Sequence, residues 1–262
     1  MLYCSNVPLA NPPWLRDLAV GLLVGIVSGL FGVGGGIILV PILVLLFRID
    51  QKLAQATSLV VVALSAVTGA ITYSIGMAVA WLAVPFLVVG GFAGTWLGTA
   101  LVAKVKDRWL KLAFGILLFL VAARLVWMSF ESNATSLPSL EIWSAIGFLL
   151  AGFAMGLLSA FLGVGGGIIV IPILVTLFGF PQQVAAGTSL VVMIPVALLG
   201  AWRLTKRGFT DWQQGLRIGA AASVAAIGGA TLALVAQSSV LQLGFALLLV
   251  LAGSQMIWRA IR

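Results

Sequence analysis

The chain has 262 residues, of which 62% are hydrophobic and 8% charged, with a formal net charge of +8 at pH 7 and a mean hydropathy of +1.23. Soluble domains carry roughly 25% charged residues, so this composition excludes a soluble fold and points to a polytopic membrane protein with almost no soluble part. The basic balance is what short cytoplasmic loops carry and needs no nucleic acid to explain it; the absence of histidine excludes histidine metal sites and histidine pH switches.

The N-terminal stretch, M-L-Y-C-S-N-V-P-L-A-N-P-P-W-L-R-D, has no basic region before its apolar part and does not read as a cleaved signal peptide. The lone Cys4 can make no internal disulfide. Apolar segments then follow at about 15–47, 53–76, 79–103, 109–130, 141–178, 184–202, 212–236 and 240–258. Runs of 18 or more apolar residues are transmembrane helix candidates. The six acidic residues, Asp17, Asp50, Asp107, Glu131, Glu141 and Asp211, fall at the ends of these runs or between them. No catalytic constellation is present, so the chain is expected not to be an enzyme and to need no cofactor and no metal.

The first segment contains Ser28–Pro41, S-G-L-F-G-V-G-G-G-I-I-L-V-P, and the fifth contains Ser159–Pro172, S-A-F-L-G-V-G-G-G-I-I-V-I-P. The offset is 131, and it persists from Gln51–Val61 to Gln182–Val192; residues 28–62 and 159–193 share 21 identities in 35 positions without a gap. Trp81, Phe114 and Trp127 align at the same offset with Trp212, Phe245 and Trp258, so an internal repeat spans the chain. The expected division is a first repeat over 1–131, a connecting loop over 132–140 and a second repeat over 141–262.

Charge then sets the topology. Lys104–Lys111, Arg203–Asp211, the C-terminal Arg259 and Arg262, and Arg48 with Lys52 mark cytoplasmic loops, whereas the stretches near Gly76, Gly179–Gln183 and Gln237–Ser239 are uncharged and Glu131–Glu141 is acidic. Eight simple crossings cannot satisfy this pattern. It is satisfied if 15–47 and 141–178 each enter and leave on one side. At 1.5 Å per residue a 33-residue helix would be about 50 Å long, against a hydrocarbon core of about 30 Å. Broken at its glycines, each becomes a hairpin of two arms of about 15 residues. One hairpin and three crossings per half give an all-α polytopic membrane protein of two inverted-topology repeats, the architecture of alternating-access transporters.

Glycine costs about 0.8–1 kcal/mol per residue in a helix interior, and a break in hydrocarbon survives only where protein or a water-filled cavity serves the freed backbone groups. Gly34, Gly35 and Gly36, and Gly165, Gly166 and Gly167, would present free N–H groups at the positive end of the second arm, an anion site. Ser28 and Ser159 precede the runs; Thr57, Ser58, Thr188 and Ser189 are polar positions of the following segments that would complete the ring, with Gln51 and Gln182 as outlying candidates. The competing readings are small-residue helix packing for the glycines and back-bonding to the i−4 carbonyl for the hydroxyls. Arg124, the one basic residue well inside an apolar run, is either a substrate contact or a snorkelling side chain.

The doubled G-V-G-G-G-I-I-x-x-P-I-L, followed by A-x-x-T-S-L, resembles the TauE/SafE sulfite exporter family of membrane permeases. Gly32, Gly34–Gly36, Pro41 and Ser58 match the first signature, and Gly163, Gly165–Gly167, Pro172 and Ser189 the second. The resemblance implies transport of a small, often sulfur-containing anion: sulfite, a sulfonate, sulfoacetate or thiosulfate. The expected function is an anion transporter of the cell inner membrane, most simply an exporter working by alternating access; an anion channel and a membrane assembly protein without cargo are the alternatives. The expected partners are the small anion and the lipid bilayer, with no nucleic acid, and self-association into a homo-oligomer is left open.

Overall fold

A computed structural model of the chain describes residues 13–101, 116, 118–120, 122–127, 142–163 and 165–261. It is helical throughout: α1 (Pro13–Phe31), α2 (Gly36–Leu45), α3 (Gln51–Ile75), α4 (Val84–Leu101), α5 (Ile142–Leu162), α6 (Gly167–Thr176), α7 (Gln182–Thr205), α8 (Trp212–Val235) and α9 (Ser238–Ile261). Residues 118–120 and 122–127 are also helical, and no strand occurs among the described residues. By length and composition, five helices can cross a membrane among the described residues: Trp14–Phe31, Gln51–Ile75, Gln182–Thr205, Trp212–Val235 and Ser238–Gln255. The expected loops at Lys104–Lys111 and Glu131–Glu141, together with Cys4 and Arg262, lie outside the described residues.

The two expected hairpins are present with unequal arms: 19 and 10 residues for α1 and α2, 21 and 10 for α5 and α6. The inequality has a packing cause. α1 carries Gly21, Gly25 and Gly29 one turn apart, and these lie against the backbone of α8 at Ile218, Ala222 and Ala226. A Cβ on Gly29 would come within 2.7 Å of the Ala230 nitrogen, so only glycine allows this approach. α5 and α4 repeat the arrangement: Gly152 meets Leu87, Gly156 meets Gly91, and Gly90, Gly94 and Gly98 meet Leu149, Phe153 and Leu157. Such small-residue seams hold helices where lipid removes the hydrophobic drive to associate. The second arms make no seam. At about 15 Å each covers half the bilayer core. Both carry an internal proline, Pro41 and Pro172.

The first arm of each half therefore packs on the fourth helix of the other half, in parallel. Between them stand α3 and α7, which run antiparallel: Gly200 lies on Leu59, Gly69 on Leu190 and Gly187 on Tyr73. α3 also lies along α8, where Gly215 meets Val60, Gly219 meets Leu64 and Thr68 donates to the Ser223 carbonyl at 2.8 Å. The core follows these contacts, with Leu59, Val62, Leu190, Val192 and Met193 fully buried. Outward, Leu22, Leu23, Val89, Leu198, Val224 and Leu247 are exposed, as are Trp14, Trp81, Trp96, Trp202 and Trp212, an apolar surface suited to lipid with tryptophans able to sit at its interfaces.

Charge divides the two ends of the bundle. At one end Arg203 stacks on Trp96 (3.8 Å) and donates to its carbonyl at 2.9 Å, and Arg207 donates to the Thr99 carbonyl at 2.7 Å, so both cations sit on carbonyls near the C-terminus of α4, the negative end of its dipole. Asp50 and Asp211 cap α3 and α8 at this end, Arg16 stacks on Phe47, and Asp17 is buried beside Gln214, Arg16 and Arg217. Among the described residues the other end, built from residues 76–83, 177–183 and 236–239, has no charged residue.

Candidate functional site

Both glycine runs adopt one backbone pattern. Gly32, Gly34 and Gly35 have φ of 73°, 76° and 71°, and Gly163, Gly165 and Gly166 have 67°, 84° and 82°. Left-handed φ costs other residues roughly 1–2 kcal/mol, which is why three of the four glycines in each copy cannot be replaced by alanine without strain. Gly32 and Gly163 close the first arm by bonding back to the Ser28 and Ser159 carbonyls, each at 2.9 Å. Gly35 and Gly166 are the N-caps of α2 and α6, and neither helix has a side-chain cap. The N–H groups of residues 34–37 and 165–168 take no backbone acceptor among the described residues. Two buried helix N-termini, each equivalent to roughly half a positive charge, therefore face into the protein.

The two breaks meet. A Cβ on Gly167 would lie 2.8 Å from the Gly32 carbonyl oxygen and 2.9 Å from Val33 Cα. A Cβ on Gly34 would lie 2.8 Å from Val62 Cγ1, one on Gly165 2.7 Å from the same methyl, and both would overlap Met193 Cε. Gly32 rests on Ala186 of α7 and Gly163 on Gln55 of α3. Each pair repeats at the 131-residue offset, so each break is seated on the long helix of the other half.

The predicted hydroxyls divide into two groups. Ser58 is at the junction: it is buried and donates to the carbonyls of Gln55 (2.8 Å) and of Gly163. Ser189 is also there, its Oγ 2.9 Å from where a Gly167 Cβ would stand and 3.5 Å from Met193 Sδ. Ser28 is buried and pairs with Ser65 Oγ at 3.1 Å, and Ser159 is buried in the matching place on α5. Thr57 and Thr188 do something else. Thr57 Oγ1 accepts the Asp211 N–H at 3.1 Å and Thr188 Oγ1 accepts the Ala80 N–H at 2.9 Å. Each threonine pins the loop before the fourth helix of the opposite half. Arg124 is exposed on its helix, between buried Ala122 and Leu125, and is not brought to the junction.

Sequence reasoning missed Val62 and Met193, which end the matched stretch as a non-identical pair, and Gln55, whose counterpart is Ala186. It also passed over the four-residue spacing of Gly21, Gly25 and Gly29, a signal that was legible.

The decisive comparison is with known families. The profile of Sulfite exporter TauE/SafE matches residues 5–125 and 148–262. The chain belongs to this family. Among curated relatives, the probable membrane transporter protein YunE of Bacillus subtilis is 36% identical over 110 residues, 42% of this chain and 40% of that protein. The probable membrane transporter protein MJ0441 of Methanocaldococcus jannaschii is 30% identical over 189 residues, 70% of this chain and 68% of that one. A probable membrane transporter protein of Xylella fastidiosa is 28% identical over 198 residues, 73% and 74%. No solved structure matches the chain. As a TauE/SafE protein it is a multi-pass membrane protein, and the glycine-rich junction falls within both matched blocks.

Proposed function

We propose that this TauE/SafE protein carries a small sulfur-containing oxyanion, such as sulfite, a sulfonate, sulfoacetate or thiosulfate, across the cell inner membrane, and that the anion binds where the two glycine breaks meet. The observation behind this reading is the convergence on Val62 and Met193 of the α2 and α6 N-termini, whose first N–H groups take no backbone acceptor among the described residues. Backbone donors at a helix N-terminus suit an oxyanion without a charged side chain, and the description of the matching family, Sulfite exporter TauE/SafE, is consistent with such a ligand. The basic end of the bundle is cytoplasmic on the positive-inside rule, and the uncharged end is outside. The two halves then act as inverted repeats that rock about the antiparallel pair α3 and α7. Val62, Met193 and the breaks fill the centre, which favours a carrier that must rearrange over an open channel.

The test is flux in proteoliposomes with a panel of sulfur oxyanions. Wild-type protein should show saturable counterflow of at least one. Gly35→Leu or Gly166→Leu, whose new side chains would run into Val24 and Met155, should abolish it while membrane insertion persists. Normal flux with both replaced would reduce the glycines to packing.

A further inference from the structure

At the uncharged end the N-termini of α7 and α9 meet: Gln182, the first residue of α7, donates its backbone N–H to Ser238 Oγ, the first residue of α9, at 3.3 Å. The Gln182 side chain is 1% exposed, and neither Nε2 nor Oε1 has a hydrogen-bond partner. A buried carboxamide left unpaired is costly and uncommon. Its neighbour Gln183 is satisfied, donating Nε2 to the Ala236 carbonyl at 2.9 Å, so the unpaired state belongs to Gln182 alone.

The 131-residue offset sharpens the comparison. At the basic end, position 50 is an aspartate whose carboxylate accepts the Lys52 N–H at 3.0 Å and closes the α3 N-terminus with the protein's own negative charge. The matching position at the uncharged end is Pro181, which caps α7 with no side-chain bond. The N–H groups of Gln183 and Val184 on α7, and of residues 238–240 on α9, take no backbone acceptor among the described residues. Two helix dipoles, open N–H groups and an unpaired carboxamide thus gather where no carboxylate stands among the described residues. Gln182 also lies on the α7 face that carries Ala186, Ser189 and Met193, at steps of four, three and four residues, the face that meets the glycine breaks.

We propose that Gln182 and the N-termini of α7 and α9 form a second oxyanion subsite at the outer end, through which the anion passes to or from the glycine junction. Its ligand is a small oxyanion that accepts the Gln182 Nε2–H and the helix N–H groups. Position 50 forbids the same subsite on the cytoplasmic side, so the two ends differ in anion affinity. This deepens the transport reading and rests on it.

The experiment compares sulfite flux in right-side-out and inside-out membrane vesicles. Gln182→Met keeps the side-chain volume and removes the amide; Pro181→Asp supplies the carboxylate that α3 has, at a position where aspartate is a favoured cap. Each should raise the outer-face KM relative to the inner-face KM by about tenfold, the value of one hydrogen bond to a charged group. Without anion, Gln182→Met should melt at or above the wild-type temperature, because it removes an unpaired buried group. An unchanged KM ratio in either variant, or a lowered melting temperature for Gln182→Met, overturns the subsite. If wild-type protein shows no saturable flux of sulfite or of any other sulfur oxyanion in the panel from either face, the transport reading fails instead. Sulfite titration of thermal stability then decides the subsite: a rise seen in wild type and lost in Pro181→Asp upholds it, and equal rises overturn it.

Discussion

Val62 and Met193 stand 131 positions apart and press on the same two glycines: Cβ atoms on Gly34 and Gly165 would each meet Val62 Cγ1, at 2.8 and 2.7 Å, and Met193 Cε. The two halves therefore share one contact at the centre. Gly34→Ala and Gly165→Ala should each cost about 1–3 kcal/mol through left-handed strain alone, with overlap added. The β-branched Val62 cannot swing aside, whereas the Met193 methyl ends a flexible chain. Val62→Ala should therefore recover part of the loss in a Gly34→Ala background. The check is a double-mutant cycle of melting temperatures; simple additivity would mean that Val62 and Gly34 do not touch.

Ser58 and Ser189 are equivalent by sequence and unequal in structure. Ser58 satisfies the Gly163 carbonyl, whereas Ser189 makes a weak contact with sulfur. Ser58→Ala leaves a buried acceptor unpaired and should cost about 1–3 kcal/mol; Ser189→Ala should cost clearly less. Chemical denaturation of the two variants decides the matter, and equal losses would contradict the asymmetry.

Thr57 and Thr188 hold loops. Thr57→Val and Thr188→Val each orphan one backbone N–H, that of Asp211 and that of Ala80. The expected loss is about 1 kcal/mol of stability with little change in anion KM. A large KM effect in stable variants would return both threonines to the binding ring.

The glycine seams and the solvent- or lipid-facing glycines separate cleanly. Gly25→Ala drives a methyl into the Ala222 backbone and should destabilise; Gly228 has nothing within 4 Å of its Cβ position, and Gly228→Ala should be neutral or stabilise by up to about 1 kcal/mol. Thermal melts of the pair are sufficient, and similar losses would refute the close approach of α1 to α8.

The transport reading predicts export from charge. Among the described residues, the carboxylates Asp17, Asp50 and Asp211 all lie at the basic end, so no proton-carrying acid stands at the junction. An anion leaving a cell that is negative inside gains about 2.3 kcal/mol per charge at 100 mV. Efflux from proteoliposomes should therefore follow an imposed potassium-diffusion potential without a proton or sodium gradient. Efflux that ignores the potential and needs a proton gradient would reverse this prediction.

What the amino-acid sequence determined alone was the class and the repeat. Periodicity and hydropathy are local properties, and the G-V-G-G-G run announces a broken helix wherever it lies, because glycine adopts the φ values found at Gly32, Gly34 and Gly35 without the strain other residues would carry. The tertiary structure decided which half each residue serves. Thr57 and Thr188 look like site residues beside Ser58 and Ser189, yet their hydroxyls point one way to a loop of the opposite half while the serines point to the glycines, since adjacent helix positions face about 100° apart. Val62 and Met193 have no polar atom poised for a ligand, and only the crossing of α3 and α7 brings them to the centre. Asp50 and Pro181 occupy one repeat position, and the chemical difference between the two ends of the bundle became visible once the helices they cap were seen to end there.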